Sequence, residues 1–88
     1  MATATPSISR DGIETEMVAI AGRLLGKSEI SAEKDLFDQG ATSLSFVRLL
    51  VEVKRRFDVT VDPVALDGDA SIGCIAEAVH TELTDRES

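Results

Sequence analysis

Gly40-Ala41-Thr42-Ser43-Leu44-Ser45-Phe46-Val47-Arg48-Leu49-Leu50-Val51-Glu52-Val53-Lys54-Arg55-Arg56-Phe57 runs from a turn glycine into an apolar helix, and its two stripes decide the fold expected of this chain. At about 100° per residue, Phe46, Leu49, Leu50, Val53 and Phe57 share one face, the stripe of a helix packed on a core. Leu44, Val47 and Val51 fall on a second stripe turned by roughly 130° from the first. A packed surface helix needs only one apolar face. The second stripe therefore predicts a docking ridge that begins beside Ser43, against the alternative that its residues pack on the preceding loop or on a short later helix.

Ser43 stands where the first backbone N–H groups of a helix lack intrahelical partners and the peptide dipoles sum to a partial positive charge. Two readings follow. As a Ser at a helix start it could be an N-cap. As an alcohol in that field it could carry an esterified anion, stabilised by about 0.3–1 kcal/mol, with Gly40 keeping the approach open.

Outward from this stretch the remaining regular elements read as helices. Ile13, Met17, Ile20 and Leu24, widened by Val18, Ala21 and Leu25, give a first amphipathic helix that Gly26 stops. Residues 27–41 are a long polar loop anchored by Ile30, Leu36 and Phe37, with one helical turn expected around residues 34–37. After the second helix, Val59-Thr60-Val61 is a short extended exit, Pro63 opens a brief turn through Leu66, and Ser71 caps a last helix with Ile72, Ile75, Ala76, Val79 and Leu83 as its buried stripe. The expected fold is all-α: a small four-helix bundle of three main antiparallel helices and one short third helix, with the long loop between helices one and two. Residues 1–9 read as a disordered lead and 10–85 as the single domain.

The composition excludes several functions. With 88 residues, 43% of them hydrophobic and 28% charged, the chain should be one globular, soluble domain. A net charge of −7 and three aromatics, all Phe, argue against nucleic acid, which demands basic surface and stacking side chains. No segment has the length of a membrane span, and the start lacks the basic and apolar regions of a signal peptide. A single cysteine, Cys74, fits a reducing cytoplasm, and no Cys/His spacing suggests a metal. The second helix is the exception in charge: it holds Arg48, Lys54, Arg55 and Arg56 against Glu52, between two acidic flanks. Its last three cations suit a helix C-terminus, whereas Arg48 lies mid-helix.

Asp35-Leu36-Phe37-Asp38-Gln39 followed by Gly40-Ala41-Thr42-Ser43-Leu44 resembles the attachment site of the acyl and peptidyl carrier proteins, whose pattern is Asp-x-Phe, then Gly, any residue, Asp, His or Thr, and Ser-Leu. The resemblance covers about residues 12–84. It implies that Ser43 carries 4′-phosphopantetheine, donated by coenzyme A through a separate phosphopantetheinyl transferase with a divalent metal ion. It also implies a carrier rather than an enzyme, which holds an aminoacyl or peptidyl group as a thioester and docks through Thr42, Leu44, Val47, Arg48 and Val51. Thr42 in place of the commoner Asp, and Arg48 where fatty-acid carriers commonly present an acid, turn the expectation toward a peptidyl carrier, and the lack of a neighbouring catalytic domain in this sequence turns it toward a free-standing, monomeric one. Its partners would be adenylation, condensation or tailoring enzymes of nonribosomal peptide or hybrid natural-product biosynthesis. An acyl carrier of polyketide, aryl or D-alanyl type is the alternative within the family. Outside it stands a small helical interaction module with Ser43 only a cap.

Catalytic arrangements fail by inspection. The one histidine, His80, sits late in the last helix among polar residues and reads as solvated, and Ser43-Leu44-Ser45 is no nucleophile elbow. Asp35 and Asp38 are explained by turn and helix-start preferences. Cys74 reads as a small buried hydrophobe. Cys74→Ala should accordingly leave loading with phosphopantetheine intact by whole-protein mass, and failure to load in a folded variant would give the thiol a role it is here denied.

Overall fold

The computed structural model describes residues 9–66 and 68–87. All of the lead expected at 1–9 except Ser9 lies outside them. Helix α1 spans Arg10–Leu25, α2 spans Ser43–Phe57 and α3 spans Ile72–Glu87, with 3-10 turns at Leu36–Gln39 and Pro63–Leu66. The all-α bundle expected from the sequence is thus the fold. The α2 boundaries coincide with the expected ones, α1 starts three residues earlier than its first apolar residue, and the loop turn lies two residues later than expected.

Each helix starts and stops for a local reason. The Ser9 hydroxyl accepts the Gly12 N–H at 3.0 Å, which satisfies one of the free amides of α1. Gly26 adopts a left-handed φ of 68°, and the Lys27 N–H closes back on the Gly22 carbonyl at 2.9 Å, so the last carbonyls of α1 are met. Ser71 caps α3 as expected, its hydroxyl accepting the Cys74 N–H at 3.2 Å.

The core is built from the predicted stripes. Ile13, Met17 and Ile20 of α1, Phe46, Leu49, Val53 and Phe57 of α2, and Ile72, Ile75, Ala76 and Val79 of α3 are buried together with Leu36 from the loop. Each such large side chain contributes about 1.5–3 kcal/mol of burial. Leu50 and Leu83 are only partly buried at the margin. Val59 and Val61 point inward with Thr60 exposed between them, an extended alternation without strand pairing. Phe37, expected as an anchor, is 45% exposed: its ring lies against Phe46 at 5.3 Å between centroids and covers the core from outside. Cys74 and His80 are both half-buried, the first less enclosed and the second more enclosed than expected.

The α1 and α2 axes run antiparallel. Leu24 and Leu25 at the end of α1 line the same small interior space as Ala41, Ser45 and Phe46, while Glu16 in the middle of α1, two turns earlier, pairs with Arg56 at the end of α2. Asp58 then closes α2 in a left-handed conformation, φ 59°, uncommon for a residue with a side chain. Lys54 Nζ donates to Asp58 Oδ1 at 3.0 Å, and Arg86 Nη2 donates to the Asp58 carbonyl at 2.7 Å, which ties the ends of α2 and α3 together. The hydrogen bond from Lys54, then the charges of Lys54 and Arg86, hold the Asp58 carboxyl below its ordinary value of 3.8. A lowered folded-state value stabilises the fold above the ordinary value, and this is lost as pH falls through the lower one. The melting-temperature gap between the native protein and Asp58→Asn should therefore be widest near neutral pH and shrink below pH about 4; a gap that is flat from pH 7 to 2 would contradict the coupling.

Candidate functional site

The long loop between α1 and α2 positions the site, and it is held by side chains rather than by a regular ladder. Asp35 Oδ1 accepts the Phe37 N–H at 2.8 Å and opens the 3-10 turn, while Oδ2 accepts the Ala70 N–H at 3.3 Å from the approach to α3. The Leu36 N–H reaches the Ala70 carbonyl at 3.0 Å and its side chain is buried in the core. Gln39 binds the loop to itself: Oε1 accepts the Ser31 N–H at 2.7 Å, and Nε2 donates to the Ser31 and Lys34 carbonyls at 2.9 and 3.0 Å. Sequence reasoning passed over Gln39 because an amide in a polar loop carries no pattern of its own.

Gly40 ends the turn at φ 104°, a conformation that L side chains rarely adopt, and it directs the chain into α2. A Cβ there would stand 3.4 and 3.5 Å from Lys27 Cε and Nζ, so a flexible lysine side chain lies over the glycine.

The start of α2 divides its duties between neighbouring hydroxyls. Thr42 is the N-cap. Its Oγ1 accepts the Ser45 N–H at 3.1 Å, and Ser45 Oγ accepts the Thr42 N–H at 2.7 Å, a reciprocal capping box. Ser43 is the first helical residue. Its side chain is exposed, and among the described residues its hydroxyl makes no hydrogen bond. The reading of Ser43 as only a cap is thereby corrected, since Thr42 already does that work. Thr42 in turn has a structural duty that its expected role in docking did not foresee. The N–H groups of Ser43 and Leu44 have no acceptor among the described residues, and the first turn holds no acid. This is an accessible alcohol beside two free amide donors in a positive field, an arrangement that fits an esterified anion such as a phosphodiester.

Beyond Ser43 the second stripe faces out. Leu44, Val47 and Val51 are 63, 53 and 50% exposed, so none of them packs into the bundle as the alternative reading required. The cations of α2 separate into two groups. Lys54 pairs with Asp58 at 3.0 Å, Arg55 with Glu52 at 3.5 Å, and Arg56 with Glu16. Arg48, exposed beside Val47 and Val51, enters no ion pair among the described residues. Burial first, then the nearby Asp69 and Glu77 charges, push the Cys74 thiol up from its usual range, away from a reactive thiolate. No group of three or more metal-ligating side chains occurs among the described residues, and no helix there is long and apolar enough to cross a membrane.

A small helical bundle that offers a free serine hydroxyl at a capped helix start has the form of a carrier domain. Residues 15–79 match the family described as phosphopantetheine attachment site, and the chain belongs to that family of carrier proteins, whose prosthetic group is 4′-phosphopantetheine. It is 32% identical over 59 residues to syringomycin synthase SyrB1 of Pseudomonas syringae pv. syringae, a match that takes in 67% of this chain and 10% of that protein. It is 28% identical over 79 residues to an acyl carrier protein of an Exiguobacterium species, covering 86% of this chain and all of that one. In fold it is similar to a chain of the solved complex of the phosphopantetheine transferase Sfp with coenzyme A and a peptidyl carrier protein, with a TM-score of 0.74 and 24% identity over 90% of this chain and 99% of that one.

The separation of cap from free hydroxyl is measurable. Thr42→Ala should lose about 1 kcal/mol, a fall in melting temperature of roughly 4–8 °C for a domain of this size, whereas Ser43→Ala should leave it within about 0.5 kcal/mol of the native protein. Equal losses would return the cap to Ser43.

Proposed function

We propose that Ser43 is the attachment point of 4′-phosphopantetheine and that the domain carries an aminoacyl or peptidyl group for partner enzymes of nonribosomal peptide or hybrid natural-product assembly. The observation that carries the first part is the free Ser43 hydroxyl beside an intact Thr42–Ser45 cap. In the transfer, the Ser43 oxygen attacks the β-phosphorus of coenzyme A, a P–O bond forms to the serine, and the bond to the outgoing 3′,5′-adenosine diphosphate breaks. The serine proton leaves to a base of the transferase, because no base adjoins Ser43 among the described residues. When bound, the arm supplies a thiol that holds the cargo as a thioester, and tethering raises its effective concentration at each docked active site.

The peptidyl assignment is supported by Thr42, by Arg48 and by the likeness to a synthase segment. Leu44, Val47, Arg48 and Val51 would form the docking ridge. Carriage of a simple acyl group is the second reading, favoured by the match along the whole length of an acyl carrier protein. The bounds 10–85 belong to the same proposal for the carrier domain, and α3 extends it to Glu87.

Two steps test this. The chain is incubated with coenzyme A and a promiscuous phosphopantetheinyl transferase and weighed intact. One phosphopantetheine should be gained, and none by Ser43→Ala; a gain that persists in that variant would remove Ser43 from the role. The loaded protein is then offered to amino-acid adenylation enzymes and to acyl-activating enzymes. Aminoacylation supports the peptidyl reading, and exclusive acylation replaces it with the second.

A further inference from the structure

The end of α1 lies at the start of α2, where Ala21, Leu24 and Leu25 line a common interior space with Ala41, Ser45 and Phe46. Gly26 turns the chain out of the helix, and Lys27, the next residue, sends its side chain across the bundle end to lie over Gly40, three residues before Ser43. Three residues span at most about 11 Å of backbone, and the turn at Gly40 shortens that path, which leaves the ammonium near the edge of the Debye length of about 8 Å at physiological salt and well inside the longer one at low salt. Lys27 enters no ion pair among the described residues, although the cleft it lines also holds Glu29, Lys34 and Asp38. The first turn of α2 supplies amide donors but no cation.

We propose that Lys27 is the counter-charge for the phosphodiester at the start of α2, a positioning residue that draws the root of the arm toward Gly40. The inference rests on Ser43 being the attachment point. A lysine after α1 also answers the negative end of that helix's dipole, which would account for its charge. It would not account for a side chain laid over Gly40, and the two explanations part experimentally: stabilisation of α1 is the same with or without the modification, whereas pairing with the phosphodiester exists only with it.

The test is a thermodynamic cycle on the whole chain. Melting temperatures are measured for the unmodified and phosphopantetheinylated forms of the native protein, Lys27→Gln and Lys27→Arg, at low salt and at about 0.5 M salt, where the Debye length is near 4 Å. Intact mass, with Ser43→Ala as the control that gains nothing, establishes beforehand that every modified sample carries one group and that it sits on Ser43. Modification should raise the midpoint more in the native protein and Lys27→Arg than in Lys27→Gln, by about 2 °C or more at low salt, and the difference should collapse at high salt. The phosphorus resonance of the modified protein should move in Lys27→Gln and less in Lys27→Arg. Equal modification shifts in native protein and Lys27→Gln, with an unmoved phosphorus resonance, would overturn the proposal and leave Lys27 to the α1 dipole. Absence of a group on Ser43 would be seen in the mass before any melt, and would remove the attachment reading and this inference together.

Discussion

Asp35 and Leu36 hold the loop to the approach of α3, and the placement of the site depends on that clasp. The loop between α1 and α2 has no repeating hydrogen-bond pattern to fix its path. Instead the Leu36 N–H and the Asp35 carboxylate take the carbonyl and amide of Ala70, and the Leu36 side chain enters the core. An isolated pairing of Asp35 with Ser71 sits at the same point, next to the cap of α3. Loop and third helix are thus registered by the same residues. From that point Gly40 turns the chain at φ 104°, its N–H returned to the Leu36 and Phe37 carbonyls, and α2 begins where the turn leaves it.

The start of α2 then shows how a short sequence gives adjacent hydroxyls different fates. Thr42 and Ser45 satisfy each other's amides, so the helix has no need of the side chain between them. Ser43 is left with an exposed oxygen in the field of the dipole. The proposed attachment requires an alcohol that is available to its partner yet held on a rigid element, and a reciprocal cap would provide both. Had Ser43 been the cap, modification would have removed the hydrogen bond that starts the helix carrying it.

Most of the fold was legible because apolar periodicity and helix-end chemistry agree in this chain. The stripes of α1, α2 and α3, the stop at Gly26, the opening of the Pro63 turn and the cap at Ser71 were all readable from local rules. The 3-10 turn was misplaced because Asp35 begins it through its side chain, a preference that says that a turn starts there and not how far it runs. Phe37 was misread for a related reason: its neighbour Leu36 takes the inward position, and side chains one residue apart in a tight turn cannot both face the core. Gln39, the Arg86–Asp58 contact and the position of Lys27 over Gly40 were out of reach, since each joins residues that no local rule connects. The fates of the α2 cations were also hidden. Composition counts Arg48 with Lys54, Arg55 and Arg56, and only the fold shows that the latter three are neutralised in place.

That neutralisation bears on how a carrier of this kind would meet its partners. In the docking reading of α2, the ridge offers three aliphatic side chains and one unpaired guanidinium on a body of net charge −7. Three half-exposed aliphatic residues are a small fraction of the roughly 800 Å² that each partner contributes to a stable complex. In that reading the encounter would be brief, and Arg48 would select its orientation more than its strength. Weak docking is what the chemistry requires of a carrier: a domain that must visit a loading enzyme and then a consuming one cannot remain bound to either. On the proposed function, affinity lost at the ridge would be offset by the tether, which would keep the thioester at high local concentration during each short contact. A larger apolar ridge would hold the carrier on its first partner and stall the sequence, so the modest size of the exposed stripe is consistent with work done by repeated short visits.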